Sequence, residues 1–342
     1  MPAIQDGGGA ERGGRGAGGA PYAALDLGTN NCRLLVARAA GGGFRVVDSF
    51  SRIVRLGEGL AETGRLSEPA MARTIEALGV CAAKLARHPG VRARQVATEA
   101  CRRAENGRAF LQRVRVETGL DLEIIGAEEE ARLAVAGCAA LLGGEAPHGV
   151  LFDIGGGSTE IAWLACAPGR APAIVDVVSL PAGVADMAAR HGGADLARPG
   201  FEAIAAEVAD ALLAFETRHA IGARVAEGRV QMLGTSGTVT TLAAVHMGLP
   251  RYDRSQIDGV FLDLADAWRA VDRLIAMSRA ERAAHPCVLD VRAEFVLPGA
   301  AILAGICQRW PVPRLRVADR GLREGILAGL MAEDGRYGGP GS

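Results

Sequence analysis

Two segments of the chain share one pattern of apolar and polar positions. Residues 22–36 and residues 149–163 each consist of a short apolar run, a polar turn with the sequence Asp-x-Gly, and a second apolar run. Apolar runs of this length on either side of Gly, Asp and Asn are typical of β-hairpins. The pattern therefore predicts one strand–turn–strand unit at the start of each half of the chain.

After each hairpin, the pattern alternates between strands and helices. Two copies of a hairpin sheet followed by alternating helices and strands predict an α/β fold with two facing lobes and a central cleft. The predicted strands lie at 44–56, 95–97, 122–125, 173–180, 230–233 and 314–317, and the predicted helices lie at 68–87, 107–117, 128–142, 201–219, 237–246 and 322–331.

The same pattern divides the chain into domains. We assign residues 21–146 to the N-terminal lobe and residues 147–335 to the C-terminal lobe. Residues 1–20 are mostly Gly, Ala and Arg, and such a segment buries too little apolar surface to offset the entropy lost on ordering. We therefore expect a flexible tail at 1–20 and a second one at 336–342.

The composition is that of a globular protein with almost no net charge. Among 342 residues, 38 Lys and Arg balance 39 Asp and Glu, so the chain has no overall positive field to attract nucleic acid. Lys84 is the only lysine, which leaves essentially no candidate for a P-loop lysine. Seven cysteines form no C-x-x-C pair, and no apolar run is long enough to span a membrane. We expect a cytoplasmic protein without a zinc site, nucleic-acid contact or membrane contact.

The turn of the second hairpin has the composition of a phosphate-binding loop. Its residues Gly155-Gly156-Gly157-Ser158 can bring backbone N–H groups close to an anion, because glycine has no Cβ to block the approach. A plain hairpin turn would also explain the glycines. However, Asp153 and Glu160 stand at the entry and exit of the turn and offer the oxygen ligands that Mg²⁺ requires.

The turn of the first hairpin offers matching chemistry. Asp26 supplies a carboxylate, and Gly28, Thr29 and Asn30 supply a tight turn, a hydroxyl and an amide. All three polar side chains are short enough to reach a phosphate oxygen or a water bound to a metal. Two chemically matched turns predict two phosphate-facing loops on opposite sides of the cleft, with Asp26 added to the metal ligands.

Seven motifs, in order along residues 22–330, resemble those of the exopolyphosphatase/guanosine pentaphosphate phosphatase (Ppx/GppA) family. That family has the actin-like ATPase fold, a duplicated ribonuclease H-like fold, which agrees with the two predicted lobes. The motifs are the two hairpin turns, VRLGEGL at 54–60, ATEACR at 97–102, EEEARL at 128–133, GTSGT at 234–238 and GLREG at 321–325.

The resemblance implies roles for individual residues. Glu130 matches the general base that activates the attacking water, and Arg102 matches the arginine that contacts the phosphate. Asp153 and Glu160 match acids associated with a divalent metal such as Mg²⁺. Among the phosphate-binding positions, the resemblance covers Asn30, Gly155, Gly157 and Ser158. The GTSGT turn, with Gly234, Ser236 and Gly237 at a helix N-terminus, is a further candidate for anion binding.

The chain departs from the family pattern at three points. Asn31 and Cys32 follow Asn30 where Ser and a bulky apolar residue are usual, and Glu99 replaces a more usual Ser or His. The chain also ends near its closing helix, so it resembles a short form without the C-terminal helical domain of longer relatives. These departures bear on substrate preference and on processivity along polyphosphate.

The favoured hypothesis is a metal-dependent phosphohydrolase that acts on the terminal phosphate of inorganic polyphosphate, of guanosine pentaphosphate, or of both. Two alternatives remain open at this point. A small-molecule kinase on the same fold would transfer phosphate from a nucleotide to a hydroxyl group, and a non-catalytic sensor would bind guanosine tetra- or pentaphosphate without turnover. The sequence does not separate the two substrates, and the resemblance is compatible with a homodimer.

Overall fold

The computed structural model describes residues 19–288 and 293–338, and the two predicted tails at 1–20 and 336–342 lie for the most part outside these ranges. The strands are β1 Tyr22–Leu27, β2 Asn31–Ala40, β3 Gly43–Ile53, β4 Arg92–Ala97, β5 Glu123–Ile124, β6 His148–Ile154, β7 Thr159–Ala165, β8 Ala173–Leu180, β9 Val230–Thr235, β10 Phe261–Asp263 and β11 Arg314–Ala318. The helices are α1 Leu60–Thr63, α2 Glu68–Leu85, α3 Glu99–Arg103, α4 Gly107–Thr118, α5 Ala127–Cys138, α6 Val184–His191, α7 Arg198–Ala211, α8 Leu213–His219, α9 Ile221–Ala226, α10 Gly237–His246, α11 Arg254–Ile257, α12 Leu264–Ala276, α13 Arg279–Ala284, α14 Val296–Arg309 and α15 Leu322–Glu333.

Two sheets with the same plan form the framework. The first has the order β3-β2-β1-β4-β5, and the second has the order β10-β11-β9-β6-β7-β8. In each sheet, an antiparallel three-stranded meander is extended by two parallel strands, β4 and β5 in the first and β9 and β11 in the second. This repeat is the duplicated ribonuclease H-like arrangement that the sequence predicts.

Several predicted elements have different bounds in the structure. The strand predicted at 44–56 ends at Ile53, because the backbone N–H groups of Val54 and Arg55 turn away and donate to the carbonyl oxygen of Asn30. The helix predicted at 128–142 ends at Cys138 and continues as a short 3₁₀ turn. The helix predicted at 201–219 is two helices, α7 and α8, and the sequence analysis assigned no elements to the region of α11 to α14.

Two helices lie between the sheets. Helix α15, the last in the chain, packs on the first sheet, where Leu322, Ile326 and Met331 join a buried cluster with Tyr22 of β1. Helix α5 packs on the second sheet, where its residue Val135 joins a buried cluster of that sheet. Each helix therefore covers the sheet that is formed by the opposite half of the chain. The predicted domain boundary between residues 146 and 147 stays a prediction.

Glycines allow α5 and α15 to cross at close range. A Cβ at Gly137 of α5 would overlap the backbone of Gly321, and a Cβ at Gly325 of α15 would overlap the backbone of Leu133. Protein interiors are close-packed, so any larger residue at these positions would force the two helices apart. The crossing fixes the start of α5, which carries Glu130, relative to both sheets. Among the described residues, no helix has the length and apolar character needed to cross a membrane.

Candidate active site

The turns of the two β-hairpins face each other in a cleft of about 150 Å³ between the sheets. The cleft is lined by every residue that the sequence analysis proposed for the site except Arg102 and Gly234. The predicted residues that line it are Asp26, Gly28, Thr29, Asn30, Glu130, Asp153, Gly155, Gly156, Gly157, Ser158, Glu160, Ser236 and Gly237.

Glycines permit the close approach of the two turns. A Cβ at Gly156 would lie 3.1 Å from the Cβ of both Thr29 and Asn30, and a Cβ at Gly157 would lie 2.7 Å from the Oγ1 of Thr29. Each turn is also closed by its own backbone hydrogen bond, from Gly155 N–H to the Ser158 carbonyl oxygen at 2.9 Å in the second hairpin. Together the turns form a narrow, polar wall that leaves backbone N–H groups next to the cleft.

The glycine-rich turn is supported from behind by α6. The backbone N–H of Val184 donates to the carbonyl oxygen of Gly155 at 3.0 Å, and that of Ala185 donates to the carbonyl oxygen of Gly156 at 2.8 Å. Gly183 lies against the backbone of Gly156 with no room for a Cβ. The position of the phosphate-binding loop therefore depends on the start of this helix.

Three largely buried carboxyl groups, those of Asp26, Asp153 and Glu160, line the cleft together. Asp153 is paired in register with Glu160 across the second hairpin. Burial raises the pKa of Asp153 to about 7, and the neighbouring Glu160 and Asp26 add to the rise. Burial likewise raises the pKa of Asp26 and of Glu160, although the hydroxyl of Ser179, 2.9 Å from Glu160 Oε1, opposes the second shift. Such a cluster is unfavourable unless protons or added positive charge neutralise it.

Glu130 lies in the first turn of α5 and faces this cluster. Burial raises its pKa to about 9, with a further rise from Glu160 and an opposing effect from Arg102. Arg102 donates to Glu130 Oε2 at 3.2 Å, to the carbonyl oxygen of Ile125 at 2.7 Å and to Glu99 Oε2 at 3.1 Å. Arg102 therefore holds Glu130 from the side and does not line the cleft, although the resemblance implied that it contacts phosphate.

The structure also places the other predicted residues. Gly234 lies in β9 below the cleft, where a Cβ would overlap the ring of Phe152, so the close packing of strand and ring requires glycine there. Ser236 and Gly237 line the cleft at the start of α10. Glu99, identified above as a departure from the family pattern, lines the cleft and binds Arg102.

The sequence analysis missed Arg33, Thr98 and Thr241, which also line the cleft, as does Thr238 of the predicted GTSGT turn. Arg33 is paired in register with Asp26, and its positive charge lowers the pKa of both Asp26 and Asp153. A signal was available, because Arg33 holds the same place in the first hairpin that Glu160 holds in the second.

The donor set fits a hard divalent cation. Among the described residues, no three His, Cys, Asp or Glu side chains lie close enough together to form a complete metal site. Mg²⁺, however, is usually held by one or two carboxylates together with water and substrate phosphates. Asp26, Asp153 and Glu160 are buried carboxyl groups with raised pKa values, so a bound cation would relieve their mutual repulsion.

Comparison with known proteins places the chain in a family. Residues 35–334 match the Ppx/GppA phosphatase family. A protein of Mycobacterium tuberculosis (strain CDC 1551 / Oshkosh) named exopolyphosphatase 2 is 32% identical over 321 residues, which cover 90% of this chain and 98% of that protein.

Solved structures agree with the architecture. A Ppx/GppA family member from Aquifex aeolicus is 28% identical with a TM-score of 0.74, and the match covers 92% of this chain and 98% of that one. An exopolyphosphatase from Cytophaga hutchinsonii, 23% identical, has the same fold with a TM-score of 0.80 over 92% of this chain and 98% of that one. The predicted fold class and the predicted class of enzyme, a phosphohydrolase, are confirmed. The chain belongs to the Ppx/GppA phosphatase family.

Proposed function

We propose that the chain releases the terminal orthophosphate of inorganic polyphosphate, of guanosine pentaphosphate, or of both, and that it requires Mg²⁺ or another divalent cation. The observation that carries this proposal is the position of Glu130, whose buried carboxyl group faces the glycine-rich turn across a cleft that opens between the two hairpins. The relative from M. tuberculosis, an exopolyphosphatase by name, supports polyphosphate as one substrate.

The glycine-rich turn would bind the terminal phosphoryl group through the backbone N–H groups of residues Gly155 to Ser158. A divalent cation held by one or two of the carboxylates of Asp26, Asp153 and Glu160, together with water and phosphate oxygens, would supply positive charge at the terminal phosphoryl group. Water is a weak nucleophile, so a carboxylate must orient it in line with the bond that breaks and accept its proton. Glu130 can do so directly, and no covalent intermediate on the protein is needed.

The environment of Glu130 suits it to this role. A carboxylate whose pKa is raised is, once ionised, a stronger base than one in water. Arg102 fixes the direction of the carboxyl group through the contact at Oε2 and is fixed in turn by Glu99 and by the Ile125 carbonyl oxygen. Arg102 is therefore a positioning residue in this arrangement.

Orthophosphate release in Mg²⁺ and in EDTA tests the proposal, with medium-chain polyphosphate and guanosine pentaphosphate as the two substrates. We expect release that depends on the metal and on water alone. A parallel reaction with ATP and small-molecule hydroxyl acceptors tests the kinase. If neither substrate releases phosphate while the protein still binds them, the proposal is wrong and the sensor is favoured. The cytoplasmic location and the homodimer stay predictions.

A further inference from the structure

The cleft has a second polar wall at the start of α10. Ser236, Gly237, Thr238 and Thr241 line it. Thr235, the last residue of β9, is the register partner of Asp153 in β6. Neighbouring strands lie about 4.8 Å apart, so this wall stands about one strand spacing from the glycine-rich turn that follows Asp153.

Two hydroxyl groups on this wall have no partner among the described residues. Thr241 lines the cleft and is 1% exposed, and its buried Oγ1 has no hydrogen-bond partner. The buried Oγ of Ser236 is likewise without a partner. A buried polar atom left unsatisfied costs about 1–3 kcal/mol, so such atoms are nearly always bonded to a ligand or water.

The backbone of the same wall is arranged for an anion. Helix α10 has ten residues, and no side chain caps its N-terminus, which leaves first-turn N–H groups and the positive end of the helix dipole at the cleft. Ser236 has a φ of 88°, a conformation that costs a residue with a Cβ about 1–3 kcal/mol. Strain of this kind persists where the surrounding structure holds a functional conformation.

We infer that the wall formed by Ser236, Gly237 and Thr241 is a second phosphoryl subsite, which binds the penultimate phosphoryl group of the substrate. The inference rests on the proposed function. Its ligand class is any compound with at least two linked phosphoryl groups. The terminal group binds the glycine-rich turn, and the next group, joined through one bridging oxygen, reaches the start of α10.

The subsite has a role in the chemistry. As the water oxygen forms its bond to the terminal phosphorus, its proton passes to Glu130. The bond from that phosphorus to the bridging oxygen breaks, and the electron pair stays on the bridging oxygen. The penultimate group then carries the added negative charge. Hydroxyl groups and N–H groups already directed at this position stabilise that charge without reorganisation.

Thr241→Val tests the subsite, because valine keeps the shape and removes only the hydroxyl. The probes are orthophosphate and methylene diphosphonate, a diphosphate analogue that is not hydrolysed, and binding is measured by calorimetry in Mg²⁺ with the full chain. We expect Thr241→Val to lower the affinity for methylene diphosphonate by about fivefold to tenfold and to leave the affinity for orthophosphate unchanged. Thr241→Ser, which keeps the hydroxyl, restores the affinity.

Thr74→Val is the matched control. Thr74 is fully buried in α2, its hydroxyl donates to the Ala70 carbonyl oxygen at 2.8 Å, and it lies outside the cleft. We expect it to leave both affinities unchanged, while Thr241→Val itself unfolds at the wild-type temperature or higher, because it loses an unsatisfied hydroxyl.

An unchanged affinity of Thr241→Val for methylene diphosphonate, or an equal loss for both probes, would overturn the inference even if the wild-type protein hydrolyses polyphosphate. Conversely, Thr241→Val could bind methylene diphosphonate more weakly and orthophosphate as before, while the wild-type protein releases no phosphate from polyphosphate or guanosine pentaphosphate. That result would support the subsite and overturn the proposed function instead.

Discussion

Gly183→Ala should displace the phosphate-binding loop and slow catalysis, while the protein stays folded. Gly183 has a φ of −98° and a ψ of 159°, which alanine adopts without backbone strain, so the substitution acts only through the added Cβ. That atom would lie closer than 3.0 Å to backbone atoms of Gly156 and Gly157, where ordinary contact begins at 3.4 Å. The loop must therefore retreat by at least 0.4 Å (3.4 − 3.0).

A misplacement of about 1 Å in a catalytic site costs about 100-fold in rate, so we expect the kcat of Gly183→Ala for phosphate release to fall by about 10-fold to 100-fold. Added volume in a packed region costs about 1–3 kcal/mol, which thermal unfolding would report. Gly79→Ala is the control, because Gly79 lies within α2 and a Cβ there meets no atom within 4 Å. A folded Gly183→Ala protein with a kcat within about twofold of wild type would refute the reasoning, as would an equal loss in Gly79→Ala.

Three further predictions follow from the same site. Arg102→Ala should lower the free energy of unfolding by about 2 kcal/mol and slow hydrolysis, because it leaves Glu99 and Glu130 without their partner; an unchanged denaturation midpoint would contradict this. Ser236→Gly should raise the free energy of unfolding by about 1 kcal/mol, because glycine adopts a φ of 88° freely, while weakening methylene diphosphonate binding; calorimetry measures both, and a less stable protein would contradict it. Burial raises the pKa of Glu130 to about 9 and that of Asp153 to about 7, well above the values of 4.5 and 3.8 that these groups have in the unfolded chain. In EDTA, the folded protein therefore binds more protons at neutral pH than the unfolded chain does. Stability should therefore fall as the pH rises from about 5 to about 9, and Mg²⁺ should reduce that slope; melting temperatures that stay level or rise in EDTA would contradict it.

The local parts of the site were predictable from the sequence. Each hairpin turn is formed by adjacent residues, so the turn chemistry of Gly155 to Ser158 and of Asp26 to Asn30 could be recognised without tertiary information. Arg33 was missed because it lies within an apolar run that was interpreted only as a strand. Its partner Asp26 becomes evident once the register of the hairpin is known.

Features that depend on tertiary packing were not predictable in the same way. Helix α14 is buried on nearly all sides, with 12 of its 14 residues buried, so it has no polar face to give a helical period. The packing of α5 on the second sheet and of α15 on the first sheet cannot be recognised from the order of elements along the chain. The contact between Arg102 and Glu130 was not predicted for a related reason, since α3 and α5 are separate in the sequence and meet only in the fold.

Glu130→Gln, compared with Glu128→Gln, tests most directly the claim that Glu130 activates water. Both residues lie in the first turn of α5, but Glu128 is exposed and does not line the cleft, so the two variants make the same substitution at one helix end. We expect orthophosphate release from polyphosphate, measured in Mg²⁺ under single-turnover conditions, to fall on the order of 1,000-fold in Glu130→Gln and to stay near wild type in Glu128→Gln. Methylene diphosphonate should bind both variants. Release by Glu130→Gln at the wild-type rate would contradict the claim, and another group would then have to activate the water.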